Sequence, residues 1–412
     1  MTERFVKMQK NSVKKRFELA IMLSMLGALG PLNIDMYLPA FPDIAGDLGA
    51  HASLVQISLT ACLVGLAVGQ IIIGPISDAQ GRRKPLLISV TLFVIATLLC
   101  ALAPSIEILI SGRLLQGLTA SAGIVISRAI VRDIFSGQEL TKFFSLLMVI
   151  NAVAPLAAPI AGGGILWFPF ATWKTIFLFL ALVGIFIVIM IYFRLKETLS
   201  IENRMPSSLG HSIRTMGDLF KDRSFIGYAL TLGFVHGGSF AYVSGTPFVY
   251  QDIYGVSPQM FSVLFGINGI AIISGSFLVG RLAGVIEEKR LLQGGVILST
   301  LAALFLFIMT IIEGPLALIV ISIYVYMTGM GIVLTSSFTV AIAKQGHRAG
   351  SASAVLGMLP LLIGSFMSPL AGLIEGSAVP MGATIFITSL IGTVVLFTLG
   401  EKTSSRRKGK QI

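Results

Sequence analysis

One acidic residue lies in the middle of a long apolar stretch near the N-terminus. This acid is Asp35, in the segment GALGPLNIDMYLPAFPDIAG that begins at Gly27, and it is flanked by Pro31 and Pro39. An ionisable residue inside a membrane span is energetically expensive and is a functional candidate by default. A carboxyl group in such surroundings could bind and release a proton near neutral pH, which is the chemistry of proton coupling. A structural ion pair, for instance with Arg113, is the alternative.

A basic residue, Arg113, interrupts a second apolar stretch, SGRLLQGLTASAG from Ser111. A guanidinium at the centre of a spanning helix costs at least about 2.5 kcal/mol, so it persists only with partners or water. Gln116 follows one turn deeper and shares its helix face by i, i+3 spacing. Arg113 therefore either has buried partners or extends to the outer membrane interface.

The composition requires many membrane spans to hold these residues. Of the 412 residues, 55% are hydrophobic and 12% are charged, whereas soluble domains carry about 25% charged residues. Soluble globular, disordered and fibrous classes are excluded, and the 44 glycines suit closely packed spanning helices.

The apolar run from Leu19 is too long for a signal peptide and is predicted to be retained as the first helix. Apolar runs of about twenty residues predict twelve spans, at 18–40, 55–76, 84–103, 106–128, 140–164, 172–194, 224–249, 259–280, 290–311, 315–341, 350–373 and 380–399.

The basic residues predict the orientation of these spans. If both termini are cytoplasmic, all but two of the 30 Lys and Arg residues fall in cytoplasmic segments, the exceptions being Arg113 and Lys174. Positive charge accumulates on the cytoplasmic side of membrane proteins, so both termini are predicted to be cytoplasmic. The same distribution explains the net charge of +11 without a nucleic-acid partner.

The one long polar connection, 195–222, divides the chain into two halves. The predicted units are a six-helix bundle at 1–194, a linker at 195–222, and a second six-helix bundle with a basic tail at 223–412. Two short strings recur between the halves, DIAG at Asp43 as DIYG at Asp252 and APIAG at Ala158 as SPLAG at Ser368, and Gly69 and Gly74 correspond to Gly275 and Gly280. Such repeats build transporters that bind their substrate at the midplane between the halves. Helical spacing of apolar residues in the linker predicts a helix on the membrane surface, with Leu209, Ile213, Met216, Leu219 and Phe220 on its apolar side.

The turn after the second span, GPISDAQGRRKP, resembles motif A of the major facilitator superfamily. That pattern is Gly-x-x-x-Asp-x-x-Gly-Arg-(Arg/Lys), and Gly74, Asp78, Gly81, Arg82 and Arg83 fill every position. The resemblance implies a conformational gate in which Asp78 and Arg82 help to hold the outward-open state. The matching turn in the second half, GSFLVGR from Gly275, lacks the acid.

Two more segments resemble motifs of the same superfamily. The stretch around Arg113 is similar to motif B, whose arginine is linked to proton coupling. The fifth span, NAVAPLAAPIAGGG, resembles motif C, the antiporter signature, although Ala158 replaces the usual glycine. Its prolines free backbone carbonyls and its glycines allow bending and close approach, so the gate is predicted to include Pro155, Pro159, Gly162 and Gly163.

The strings DMYLPAFP, SRAIVRDIFSG and SGTPFVYQDIYGVS look like the Bcr/CflA group of drug:proton antiporters. That resemblance implies proton-driven efflux of small drugs such as bicyclomycin or amphenicol-type antibiotics, across a bacterial cytoplasmic membrane. It implies Asp35 and Arg113 as the coupling pair, and a protein that works as a monomer without a cofactor.

A pocket between the halves would draw on polar and aromatic residues of the spans, each of which could instead serve helix packing. Cys62 and Cys100 are interpreted as packing residues. A membrane enzyme is disfavoured, since no Walker A, HExxH or GxSxG string occurs. A transporter of an endogenous small metabolite is the open alternative. The predicted substrate-binding residues are Asn33, Tyr37, Gln116, Asn151, His236, Tyr242, Asn268 and Tyr326.

Overall fold

The computed structural model describes residues 2–135, 153–204, 217–343, 345 and 349–400, and this part of the chain is helical without a β-strand. Ten helices in it are long and apolar enough to span a membrane. Two further helices bring the arrangement to the twelve predicted segments. In chain order the helices are α1 Thr2–Asp35, α2 Ala52–Gln80, α3 Arg83–Ala101, α4 Ile106–Ile134, α5 Val153–Ile165, α6 Trp173–Arg194, α7 Arg223–Phe248, α8 Pro258–Leu282, α9 Glu288–Ile311, α10 Leu316–Ile342, α11 Ala349–Met367 and α12 Val379–Val395.

The helices α5 and α7 are the two that do not meet the hydropathy and length criteria of the other ten. For α5, part of the predicted span at 140–164 lies outside the described residues. For α7, glycine, serine, histidine and tyrosine dilute the apolar residues in its second half, GFVHGGSFAYVSGTPF. Its bounds, Arg223–Phe248, still agree with the predicted span at 224–249 to one residue at each end.

In the part of the chain that the structure describes, the connections between helices lie at two opposite ends of the bundle. We call the end that carries the α1–α2 connection, 36–51, the distal end, and the end that carries the α2–α3 turn at Gly81 the proximal end. At the distal end α1 gives way to a 3₁₀ turn, Leu38–Ala40, and a short helix, Phe41–Asp47. After α7 the corresponding place is taken by a turn of π-helix, Val249–Ile253. The repeated acids Asp43 and Asp252 thus occupy matching positions in the two halves.

Glycines that correspond between the halves make equivalent helix contacts. A Cβ built on Gly69 of α2 would lie 2.5 Å from the Leu118 carbonyl oxygen of α4, and one on Gly275 of α8 would collide with the Thr328 carbonyl of α10. Only glycine lets the backbones approach this closely. The equivalence of α2–α4 and α8–α10 confirms the internal repeat predicted from the sequence.

The predicted surface helix of the linker falls mostly on residues 205–216, outside the described residues. Of its apolar members, Leu219 is buried and Phe220 is 44% exposed. The placement of that helix on a membrane surface stays a prediction.

Candidate functional site

A central cavity of about 190 Å³ lies between the two halves. Asp35 and Pro155 reach it from the first half, while α7, α8 and α10 form the opposite wall. Four of the residues predicted for proton coupling or substrate binding line this cavity: Asp35, His236, Tyr242 and Asn268. The sequence did not distinguish the apolar lining from ordinary packing, and that lining includes Phe240, Phe265, Met327 and Met330.

Asp35 is the last residue of α1 and is only 6% exposed. Pro31 lies one turn earlier in the helix, where its ring replaces a backbone donor. The Asp35 carboxylate has neither a hydrogen bond nor an ion pair with any residue that the structure describes. A structural ion pair is therefore not the reason for this acid, and its carboxylate is available to a proton or a ligand.

The wall opposite Asp35 offers unpartnered polar atoms among aromatic rings. The Asn268 Nδ2 donates to the Tyr242 hydroxyl at 2.9 Å, and the Asn268 Oδ1 receives no hydrogen bond from the described residues. The Tyr242 ring stacks on Phe265 at 5.2 Å between centroids, with 16° between the planes. His236 stacks on Phe240 at 5.8 Å, and its Nδ1 also has no partner in the described chain. This wall can stack a flat ring and form a few directed hydrogen bonds.

Arg113 lies apart from Asp35, inside the first half. Its guanidinium donates to the Asn33 Oδ1 at 2.5 Å, the Gln116 Oε1 at 2.5 Å and the Asn33 carbonyl at 2.8 Å. It also lies over the Tyr37 ring, 4.1 Å from the centroid. Arg113 is fully buried, so the idea that it extends to the outer interface is wrong. It joins α4 to α1, and it forms no ion pair with Asp35.

Three predicted pocket residues belong to this Arg113 network instead of the cavity wall. Asn33 and Gln116 are bonded to Arg113 as described, and the Gln116 Nε2 donates to the Thr97 hydroxyl at 2.9 Å. The Tyr37 hydroxyl lies 3.2 Å from the Ser58 hydroxyl. Their polar atoms are engaged within the protein, which explains why they do not line the cavity.

Of the other two predicted pocket residues, Tyr326 does not line the cavity. The Tyr326 hydroxyl donates to the Val235 carbonyl at 2.6 Å, which joins α10 to α7. Asn151 lies outside the described residues.

The motif A turn at the proximal end is an ion-pair network within the first half. Arg82 donates to Asp78 at 2.5 Å and to Asp133 of α4 at 2.9 Å. Partial burial disfavours the charge, but the hydrogen bonds to these two carboxylates outweigh it and raise the pKa of Arg82. The neighbouring Arg83 donates from Nη2 to the Tyr192 carbonyl at 2.8 Å. The predicted contact between Asp78 and Arg82 is present.

The carboxylate of Glu197, just beyond α6, forms hydrogen bonds with the backbone of this turn. It accepts backbone N–H groups of Arg82 at 2.7 Å and Arg83 at 3.2 Å, as well as those of residues 198 and 199. Partial burial opposes ionisation, but these four donors prevail and lower the pKa of Glu197. Gly81 has φ +93°, and a Cβ there would lie 2.5 Å from the Glu197 Oε2, so glycine is required. Gly74 has no such contact closer than 3.8 Å.

The glycines of α5 lie at the distal end, where the two halves meet. A Cβ on Gly162 would collide with the Met36 carbonyl at the end of α1, and one on Gly163 would collide with the Ser262 hydroxyl of α8. The Gln259 side chain of α8 also donates to the Gly163 carbonyl at 3.4 Å. Pro159 is in the same helix, and Pro155 reaches the central cavity.

Hydrogen bonds between the halves close the distal end. The Gln56 Nε2 donates to the Ser244 carbonyl at 3.2 Å, and the Gln251 Nε2 donates to the Pro39 carbonyl at 3.1 Å. His51 Nδ1 lies 2.6 Å from the Glu375 Oε1. We call this set of contacts, with Gly163 against α8, the distal seal.

Comparisons with known proteins agree with this architecture. The chain is 66% identical over 389 residues to a protein of Bacillus subtilis named uncharacterized MFS-type transporter YdgK, covering 94% of this chain and 97% of that one. It is 29% identical to the bicyclomycin resistance protein homolog of Haemophilus influenzae (96% and 100% covered) and 28% identical to the multidrug resistance protein MdtL of Salmonella paratyphi C (95% and 96% covered). The resemblance to the Bcr/CflA group is thus confirmed.

Solved structures share the fold at low identity. A bacterial homolog of the human lysosomal transporter Spinster, in an inward-facing and unoccupied conformation, superposes with a TM-score of 0.77 at 15% identity, covering 94% of this chain and 97% of that one. A D-xylose–proton symporter superposes with a TM-score of 0.72 at 14% identity (91% and 97% covered). The family model described as Major Facilitator Superfamily matches residues 23–369. The chain is a multi-pass membrane transporter, not an enzyme, and it belongs to the major facilitator superfamily.

Proposed function

We propose that the protein is a proton-coupled antiporter that exports small drugs from a bacterial cell by alternating access. The observation that carries this proposal is Asp35, a buried carboxylate without a described partner, in the wall of a cavity between the two halves. The relatives named for bicyclomycin and multidrug resistance support drugs as the cargo.

In this mechanism a drug and a proton compete for the region around Asp35. The drug enters the central cavity while the distal seal is closed, stacks between the aromatic side chains, and hydrogen-bonds to Asn268 and Tyr242. After the distal end opens, at least one external proton binds Asp35, and the drug leaves to the outside. The empty, protonated carrier returns and releases its proton to the cytoplasm.

Arg113 takes part indirectly in this mechanism. Its bonds to Asn33 fix the last turn of α1, which holds Asp35 at the cavity. In this proposal Asp35 binds the proton, and Arg113 positions Asp35 without pairing with it.

The placement in the cell is part of the proposal. Both termini face the cytoplasm, so the distal end faces outward, and the chain works as a monomer in the cytoplasmic membrane. The two bundles, 1–194 and 223–412, are the bodies that rock about the cavity, and the 195–222 linker joins them on the cytoplasmic side.

Export can be tested in a bacterium that lacks its major efflux pumps. Cells with the wild-type protein are expected to resist at least one drug of a broad panel, and purified protein to release protons when that drug is added. Asp35→Asn keeps the size of the side chain but removes its titration, so active export and proton release should both be lost. Glu107→Gln, at an exposed acid near the start of α4, is the matched control.

Full active export by Asp35→Asn would refute the coupling mechanism. Absence of resistance to every drug tested, with intact expression, would favour transport of an endogenous metabolite instead.

A further inference from the structure

A second cavity, of about 250 Å³, lies within the distal seal and is separate from the central cavity. The first half contributes residues at the start of α2, including Gln56. The second half contributes the end of α7, with Phe248 and Asp252, and the connection after α11, with Glu375. Both halves therefore form its walls, and the cavity is complete only while the distal end is closed.

Gln56 leaves one hydrogen-bond acceptor unused in this wall. The side chain is 1% exposed, and its Nε2 donates to the Ser244 carbonyl across the seal. The Oε1 receives no hydrogen bond from the part of the chain that the structure describes. Exchanging the positions of the Gln56 amide nitrogen and oxygen would not give the oxygen a donor, because the oxygen would then face the Ser244 carbonyl oxygen. A buried acceptor without a donor is costly, so a ligand with a donor would be favoured here.

The charged groups of the cavity wall are both acids. Glu375 shares its Oε1 with His51, which leaves the Oε2 available. Asp252 has a raised pKa, because burial and the nearby Asp43 both disfavour its charge. Neither lysine nor arginine is among the described lining residues, so a cation would offset the negative charge of Asp252 and its neighbour Asp43.

The lining also indicates which cation would fit. No group of three or more metal-ligating side chains occurs among the described residues, which disfavours a metal ion. Apolar groups, including Phe248, Val249 and Ile374, alternate with the acceptors and can enclose a hydrocarbon or ring. An ammonium head donates three hydrogen bonds and carries the required charge.

We propose that the distal cavity binds a small organic ammonium ion, and that such a ligand holds the transporter in its distal-closed state. A ligand that contacts both halves binds the closed state better than the open one, so it must shift the equilibrium toward closure. External organic amines would then inhibit the cycle from a site outside the central cavity. The inhibition rests on the proposed export function, whereas the binding and the closure do not.

Binding is tested on the purified full-length protein by calorimetric titration with benzylammonium, and with benzyl alcohol as the neutral probe of similar shape. Wild type and Glu107→Gln should bind benzylammonium alike, and Gln56→Leu and Asp252→Asn should each weaken binding at least tenfold. Benzyl alcohol should bind at least tenfold more weakly. Equal affinity for both probes, or unchanged affinity in both cavity variants, would overturn the site.

Closure is measured separately by the rate at which a thiol at Ser262→Cys is alkylated. Ser262 is buried against Gly163 in the distal seal, so a thiol there reacts only when the distal end opens. The native Cys62 and Cys100 are buried and are replaced by alanine for this assay. Benzylammonium should slow alkylation at least fivefold, and this effect should vanish with Asp252→Asn. Binding without slower alkylation would overturn the closure. If the protein also exports drug, external benzylammonium should slow export in wild type and not in Asp252→Asn.

Discussion

Replacing Gly163 with alanine should drive the two halves apart at the distal end. The added Cβ would meet the Ser262 hydroxyl and would lie 3.2 Å from the Pro258 carbonyl oxygen, both on α8. The hydroxyl cannot turn away without losing its own bond to Pro258, at 2.8 Å. The carbonyl is backbone, so relief of the collision requires α5 and α8 to separate.

The size of this effect follows from overpacking, which typically costs about 1–3 kcal/mol. The collision exists only while the halves touch, so the cost falls on the distal-closed state alone. That energy corresponds to a shift of about 5- to 150-fold toward the distal-open state. The adjacent Gly164 has no atom within 4 Å of a built Cβ, so Gly164→Ala changes helix propensity equally and serves as the matched control.

The population is read from crosslinking of His51→Cys to Glu375→Cys by a short bifunctional thiol reagent. In the native protein the His51 Nδ1 lies 2.6 Å from the Glu375 Oε1 across the seal, and the reagent's spacer replaces the length of these two side chains, which a direct disulfide does not. With the two native cysteines replaced, the Gly163→Ala background should form this crosslink at least fivefold more slowly than the Gly164→Ala background. Equal crosslinking rates in the two backgrounds would refute the reasoning that Gly163 controls distal closure.

Three further outcomes are expected. Gly81→Ala should destabilise the protein by about 1–3 kcal/mol in thermal unfolding, because φ +93° is unfavourable for alanine; Gly280→Ala, with open space around it, should not. Because the pKa of Glu197 is lowered in the folded protein, its ionised carboxylate stabilises the fold at pH values above its ordinary pKa, and this stability is lost as the pH falls through the pKa of the folded protein. Glu197→Gln should therefore lose less thermal stability than wild type on acidification. An identical pH profile in the two proteins would contradict this. Asn268→Leu should weaken drug binding at least tenfold in equilibrium titrations by removing the free Oδ1, while unchanged affinity would remove it from the site.

Most of the fold could be predicted from the sequence because spanning helices are defined by composition over about twenty residues. Even α7, with its polar second half, was predicted to within one residue at each end. The internal repeat could also be predicted, since Gly69 and Gly275 are needed for equivalent close contacts. These features depend on local sequence or on short strings that recur.

The site was less predictable because it depends on which helix face meets which neighbour. Spacing correctly linked Gln116 to Arg113, but the contact with Asn33 joins residues 80 positions apart and has no local signal. Polar residues such as Tyr326 were expected in the pocket, although a buried hydroxyl more often serves the protein's own carbonyls, as it does here. Apolar lining residues such as Phe265 and Met330 have no feature in the sequence that distinguishes them from core residues.

Asp35 is the only carboxylate among the described residues that line the central cavity, and this has an electrical consequence for the proposed exchange. When one proton replaces a neutral cargo, each cycle moves one positive charge inward, and the membrane potential supplies about 2.3 kcal/mol per 100 mV. When the cargo is a monovalent cation, the exchange moves no net charge, and only the pH gradient drives it. Uptake of a neutral cargo into inside-out vesicles should therefore respond to valinomycin and potassium, whereas uptake of a monovalent cation should respond only to the collapse of the pH gradient.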